Sequence, residues 1–166
     1  VFRWAAPLLF VALWLAYVLG AMRAPALRQG AELDWGVLSG GLDSIEAWRQ
    51  ALVDGSVLRL ASALFLHADW IHLLGNLVFL LIFGLPAERT MGPWRFLALF
   101  LLGGAVANLA AVLTIGVPDR VIIGASGAVS AVIGAYLALF PNAKLGVVVP
   151  LGLFLQAAPP RDVIAR

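Results

Sequence analysis

The stretch over residues 67–84, HADWIHLLGNLVFLLIFG, combines a long apolar run with polar side chains near its start. A bilayer core about 30 Å thick needs roughly 20 mostly apolar residues for each helix that crosses it. We therefore predict a membrane helix over residues 67–84. Its polar residues His67, His72 and Asn76 are costly to place in lipid, so each is a candidate functional residue.

Three further apolar runs, over residues 4–22, 94–115 and 126–140, have the same character. The whole chain is 63% hydrophobic and only 12% charged. In soluble domains, about 45–50% of the residues are apolar and about 25% are charged. These values predict an all-α fold, a polytopic membrane bundle of four transmembrane helices. A signal peptide is the alternative for residues 4–22, but the run exceeds the usual 7–15 apolar residues.

Residues 23–59 differ from these runs, because charged residues and glycines alternate there with short apolar segments. This composition predicts a partly helical element lying along the membrane surface. A last apolar run, over residues 145–155, is interrupted by Gly146, Pro150 and Gly152. We expect it to form an interfacial or re-entrant connection.

Several classes of site are disfavoured by residue counts. The chain has no cysteine and a net charge of +2 without a run of basic residues, so we expect neither thiolate chemistry nor nucleic-acid binding. His67 and His72 are five residues apart, which places them about 140° apart around the helix, so they do not share a face. A two-histidine metal site needs a spacing of four. We therefore expect no metal and no cofactor.

Two polar features are predicted to meet near one membrane face. His72 and Asn76 are four residues apart, so they lie on the same side of a helix. Ser126 lies within Ile-Gly-Ala-Ser-Gly (residues 123–127), where a fourth helix would begin on the same side of the membrane as the second. Ser126 is either a helix N-cap beside glycines that allow close packing, or a nucleophile near oxyanion donors. The residues alone leave both interpretations open.

In their order and spacing, these residues resemble the rhomboid family of intramembrane serine proteases. His67, His72 and Asn76 match its His-x4-His-x3-Asn signature, and Gly124, Ser126 and Gly127 match its Gly-x-Ser-Gly motif. Further matches are Arg59, eight residues before His67, the pair Glu88 and Gly92, and Gly134, eight residues after Ser126. Leu58 is a departure, because the family has tryptophan there.

The resemblance implies a role for each matching residue. Ser126 would be the nucleophile, and His72, Asn76 and the backbone N–H of Ser126 would line the oxyanion hole. Structural roles would fall to Arg59, His67, Glu88, Gly124 and Gly127. Glu88 would hold the loop after the second helix, whereas its sequence context beside Arg89 suggests only a solvated acid. Residues 23–59 would form a membrane-embedded hairpin.

The family's general base is a histidine on a sixth helix, some fifty residues beyond the serine. This chain has no histidine after His72 and ends 40 residues after Ser126. We therefore expect residues 1–166 to form a rhomboid-like membrane domain that is C-terminally incomplete. Without a base, a serine hydroxyl is a weak nucleophile.

The resemblance predicts an intramembrane serine endopeptidase that cleaves membrane-spanning protein substrates. The alternative is a non-catalytic rhomboid-like protein that binds client transmembrane helices. A transporter or channel fragment fits less well, because the embedded ionisable groups lie near one face only. We expect an integral, multi-pass protein of a bacterial cell membrane, whose partners are the lipid bilayer and transmembrane substrates.

Overall fold

The computed structural model describes residues 3–39, 42, 44–115 and 120–143, apart from the side chains of Pro25 and Arg28. These residues form seven helices and one small sheet. The helices are α1 (Ala5–Ala21), α2 (Pro25–Trp35), α3 (Ile45–Val53), α4 (Ser56–Phe65), α5 (Trp70–Met91), α6 (Pro93–Thr114) and α7 (Ser126–Leu139). The strands β1 (Val37–Leu38) and β2 (Val121–Ile122) pair antiparallel.

The predicted helices over residues 4–22, 94–115 and 126–140 are confirmed by α1, α6 and α7, whose ends differ by at most one residue. The partly helical character expected for residues 23–59 is confirmed by α2 and α3. Residues 145–155 and the C-terminal segment that follows them lie outside the described residues. Within the described part, α5 and α6 are both long and apolar enough to cross a membrane.

Helix α5 differs from its prediction at both ends. It starts at Trp70 instead of residue 67, and it continues past Gly84 to Met91. The segment Leu80–Gly84 is a π-helical turn. Pro86 lies just beyond this turn. Proline has no backbone N–H to donate, and its ring clashes with the carbonyl group of the residue four positions earlier in a regular α-helix. Because a π turn bonds to the fifth residue, it lets the helix continue through the proline.

A sharp corner at Gly92 separates α5 from α6. Gly92 has φ +86° and ψ 159°, a conformation that is essentially restricted to glycine. Pro93 then occupies the first position of α6, where its missing N–H costs no hydrogen bond. This corner ends α5 and lets α6 begin one residue later.

The main core lies between α1, α4, α5, α6 and α7. Its largest fully buried apolar side chains are Phe96, Phe100, Leu13, Leu64, Leu80 and Val132. The burial of Leu9 and Leu13 of α1 in this core favours a retained helix over a signal peptide. Many large apolar side chains on the outer helix faces are exposed, as expected where lipid is the solvent; examples are Leu8, Val11, Leu15, Ile82, Leu102, Val106 and Leu113.

Glycines set the distance between α6 and α7. A Cβ atom on Gly127 would lie 2.5 Å from the Cβ of Ala107, and one on Gly104 would lie 2.8 Å from the Cβ of Ala128. Both distances are too short for any real side chain. Gly127 is therefore a packing residue, as the resemblance implies, and its contact fixes the start of α7 against α6.

Candidate active site

His67 lies in the connection before α5 and not on the helix. Asp69 is the N-cap of α5, and its carboxylate accepts a hydrogen bond from the backbone N–H of His72 at 2.8 Å. Since His67 precedes this cap, the 140° separation expected for two residues of one helix does not apply. The rings of His67 and His72 instead meet edge to face, with 5.2 Å between their centroids.

The Nε2 atom of His67 is the centre of a buried hydrogen-bond network. It accepts from the backbone N–H of Ala125 at 3.3 Å and lies 3.1 Å from Nδ2 of Asn76. A backbone N–H can only donate, so Nε2 carries no proton and Asn76 also donates to it. His67 is therefore a neutral imidazole with its proton on Nδ1.

Electrostatics agrees with this assignment. His67 is 4% exposed and lies outside the helix that spans Trp70–Met91. Burial, with a smaller contribution from neighbouring His72, lowers the pKa of His67 to about 4. The imidazole is consequently neutral at physiological pH and serves as an acceptor.

The first glycine of the Gly-x-Ser-Gly motif lies against His72. Gly124 has φ +116°, and its N–H donates to the carbonyl of Ala63 at 2.9 Å. A Cβ atom on Gly124 would lie 2.6 Å from Cε1 and 2.9 Å from Nε2 of His72. Only glycine satisfies both the backbone conformation and this close approach.

Ser126 is the first residue of α7 and its side chain is exposed. The N-cap interpretation is wrong, because Ala125 occupies the cap position and makes no side-chain cap hydrogen bond. As the first helical residue, Ser126 has a backbone N–H without a partner inside the helix. The N–H groups of the two preceding residues, Gly124 and Ala125, already donate to the carbonyl of Ala63 and to Nε2 of His67. The hydroxyl and the N–H of Ser126 thus lie together at the helix N-terminus.

The structure therefore brings His67, His72 and Asn76 next to the segment that leads into Ser126. Arg59 and Glu88 belong to other contacts. The guanidinium of Arg59 donates to the carbonyl of Leu33 at 3.3 Å, near the C-terminal end of α2. Arg59 thus links α4 to the first loop, a structural contact.

Glu88 is buried, with 1% of its surface exposed, which corrects the expectation of a solvated acid. Its carboxylate accepts the backbone N–H groups of Trp4, Ala5 and Ala6 at 2.8, 2.8 and 2.9 Å. Helix α1 has no side-chain cap of its own, so Glu88 satisfies its N-terminal donors from the far end of α5. These described hydrogen bonds go to α1 and not to the loop that follows α5.

A metal centre finds no support in the part of the chain that the structure describes. No group of three histidine, aspartate or glutamate side chains there is arranged to hold a metal ion. The rings of His67 and His72 contact each other, and His67 also accepts from the Asn76 amide.

Comparison with known proteins identifies the family. The family model of the rhomboid domain matches residues 54–159, more than half of the chain and the whole of the site described above. The chain belongs to the rhomboid family. No solved structure gives a significant match.

Among curated proteins, the chain is 35% identical to RHOMBOID-like protein 5 of Arabidopsis thaliana over 54% of its length and 29% of that protein. It is 33% identical to the putative rhomboid protease YdcA of Bacillus subtilis over 63% of its length and 53% of that protein. It is 36% identical to Rhomboid-like protease 3 of Toxoplasma gondii over 55% of its length and 34% of that protein. The chain thus spans between 29% and 53% of the length of these relatives.

Two further buried polar residues, one in the matched domain and one in the first loop, are not predicted from the sequence. Asn108 is 5% exposed in the middle of α6, and its amide donates to the carbonyl of Leu60 at 2.8 Å. A lone amide in an apolar membrane helix is a signal that could have indicated such a contact. Ser39, 2% exposed, pairs with Arg120, and nothing in its local sequence predicts that partner.

Proposed function

We propose that this rhomboid domain acts in intramembrane proteolysis, as a serine endopeptidase that cleaves membrane-spanning protein substrates. Ser126 is the nucleophile. The observation that carries the proposal is the hydrogen bond from Ala125 N–H to His67, because it joins the Asn76 network to the residue directly before the serine. The relatives named as proteases support the same reaction class.

In the proposed reaction, the Ser126 hydroxyl attacks the carbonyl carbon of the scissile peptide. A bond forms between Oγ and that carbon, and the carbonyl oxygen becomes an oxyanion. The N–H of Ser126 is an available donor for this oxyanion, and the Asn76 amide and His72 complete the hole. Asn76 has two N–H groups, of which one donates to His67.

The attack also requires a base that takes the hydroxyl proton. His67 does not suit this role, because its Nε2 already accepts two hydrogen bonds in a buried network. His72 is assigned to the oxyanion hole. We propose that the base is a histidine on a helix C-terminal to these residues, as the family resemblance implies, so that residues 1–166 form one part of the membrane domain.

We further propose a multi-pass arrangement in which α1, α5, α6 and α7 cross the bilayer and the first loop is embedded at its surface. The 22-residue lengths of α5 and α6 and the exposed apolar residues on their outer faces support it. Helices α5 and α7 then begin on one side, which places His72 and Ser126 at a shallow depth. The bacterial cell membrane stays a prediction, since the relatives include plant and protozoan proteins.

The test uses the full protein encoded by the reading frame that contains this chain, in detergent micelles, with a serine-directed fluorophosphonate probe. We expect labelling of the wild type and of Ser130→Ala, a serine one turn further along α7. Ser126→Ala should abolish labelling and lower substrate cleavage to below about a thousandth. Labelling that survives in Ser126→Ala would exclude this nucleophile, and an unlabelled wild type would favour the non-catalytic alternative.

A further inference from the structure

The segment that leads into Ser126 is bound to the first loop by a two-stranded sheet. Val37 of β1 pairs with Ile122 of β2, and Leu38 pairs with Val121. Only three residues separate the end of β2 from Ser126. Four residue steps lead from Ile122 to Ser126 and span at most about 14 Å, so a shift of β2 is transmitted to the serine through a short segment.

Ser39 extends this pairing by two hydrogen bonds with Arg120. The backbone N–H of Ser39 donates to the carbonyl of Arg120 at 2.9 Å, and the Ser39 hydroxyl accepts from the N–H of Arg120 at 3.0 Å. Ser39 is 2% exposed, so these bonds form away from solvent. Such buried hydrogen bonds are costly to leave unmade.

Gly36 brings the first loop close enough for the pairing. A Cβ atom on Gly36 would lie 2.8 Å from Cγ1 of Val121 and 3.0 Å from Cγ2 of Ile123, and would overlap the carbonyl oxygen of Glu32. Any side chain at this position must displace β2 or the end of α2. The contact therefore depends on glycine at position 36.

We propose that residues 36–39, the positioning strand, set the location of the Ser126 nucleophile relative to the oxyanion donors. The inference rests on the proposed function. It differs from a general folding role because the positioning strand contacts residues 120–123, which continue directly into the Gly124 and Ala125 contacts with His72 and His67. The first loop thus holds one end of this short segment and the two histidines hold the other.

Loss of the positioning strand should slow the chemistry of the folded enzyme, because a displacement of about 1 Å at a reacting group can cost about 10²-fold in rate. We expect Gly36→Ala to lower the fluorophosphonate labelling rate of the full protein by about 10- to 100-fold. Ser39→Ala removes only the hydroxyl that accepts from Arg120, and should lower the rate by about tenfold. In both variants, kcat for a membrane substrate should fall while KM changes little.

Two matched controls lie in the same loop. Gly30→Ala is the same substitution in α2, where an added Cβ meets nothing within 4 Å. Ser44→Ala removes the hydroxyl that caps α3 and accepts from Ala47 N–H at 3.1 Å. This variant should lower the melting temperature, because a helix cap is lost, but the change lies away from β2. Both should label within about twofold of the wild type, a margin far below the expected cost of a misplaced reacting group.

Rates are compared for the folded fraction, determined from thermal unfolding of each variant. If Ser39→Ala labels as fast as Ser44→Ala, the positioning role is wrong even though Ser126 is reactive. If the wild type itself is not labelled, the proposed function fails instead. A fall in stability with unchanged kcat in either variant would also overturn the inference.

Discussion

Helix α5 carries buried polar residues near both of its ends, and the two ends use them differently. Near the C-terminal end, Glu88 accepts three backbone N–H groups from the start of α1. Near the N-terminal end, Asn76 and His67 form a network that reaches Ala125 but leaves neighbouring Ser126 exposed. Glu88 follows Asn76 by 12 positions, so the two sites are about 18 Å apart along the helix.

The difference shows how one physical requirement leads to two outcomes. A polar group removed from water must find partners inside the protein. At the Glu88 end, the described partners are the N-terminal donors of another helix, and the result is a fixed helix position. At the Ser126 end, the network orients the residues around a hydroxyl and an N–H that stay accessible. The first arrangement favours stability, and the second permits chemistry.

Among substitutions at the two ends of α5, we expect Asn76→Ala to have the largest effect. Asn76→Ala removes a proposed oxyanion donor and should lower kcat by about 10²–10³-fold, measured by cleavage of a membrane substrate by the full protein. Asn108→Ala is the matched control, because Asn108 is similarly buried and also donates one amide hydrogen bond. Equal kcat values for the two variants would mean that Asn76 has only a structural role.

A second prediction concerns the other end of α5. In Glu88→Gln, the amide nitrogen cannot accept a hydrogen bond, so at least one N–H of α1 loses its acceptor. We expect the free energy of unfolding to fall by about 1–3 kcal/mol, measured by thermal or denaturant unfolding in micelles, while the labelling rate of the folded protein stays unchanged.

The control for this prediction is Glu46→Gln. Glu46 is exposed and pairs with Arg49 at 3.1 Å on the surface of α3. Its replacement should change stability by less than about 0.5 kcal/mol. Comparable losses in both variants would contradict the anchoring role of Glu88.

A third prediction is a pH dependence of stability that arises from His67. Its pKa is about 4 in the folded protein, whereas an unperturbed histidine has a pKa of 6.5, so the unfolded state takes up the proton first as the pH falls. Stability should therefore be complete above about pH 6.5 and should decrease as the pH falls from there towards 4. The melting temperature of the wild type should fall as the pH is lowered from about 6.5 to about 4.

His67→Gln isolates this contribution, because a glutamine oxygen can accept hydrogen bonds but does not titrate. The variant should lose most of the decline between about pH 6.5 and pH 4. If its melting temperature falls with pH as steeply as that of the wild type, another group is responsible.

The sequence predicts a helix well where an apolar run is long and contains few polar residues. The apolar runs that became α1, α6 and α7 needed only length and hydropathy. The start of α5 was missed, because the apolar pattern of residues 67–84 hides the cap at Asp69, whose carboxylate accepts from His72 N–H. The sequence pattern therefore predicts that His67 and His72 lie on the same helix, whereas His67 precedes it.

Long-range partners could not be predicted from local patterns. The residues that Glu88 contacts are more than 80 positions away in the sequence, and Ser39 and Arg120 are similarly distant. The spacing of apolar residues along the chain does not predict such contacts, because they depend on how the helices pack. Topology predicts that His72 and Asn76 lie near Ser126. It does not predict that His67 accepts hydrogen bonds from both Asn76 and Ala125.

The π turn at Leu80–Gly84 has a further consequence for α5. A π turn acts as the insertion of one residue into an α-helix, and one residue corresponds to about 100° of rotation. The sides of the helix on which Asn76 and Glu88 lie are therefore not related by a regular α-helical repeat. Twelve regular steps of 100° would place Asn76 and Glu88 about 120° apart around α5, whereas the π turn takes up about one step and leaves them about 20° apart. The π turn therefore brings the two buried polar groups to nearly the same side of the helix.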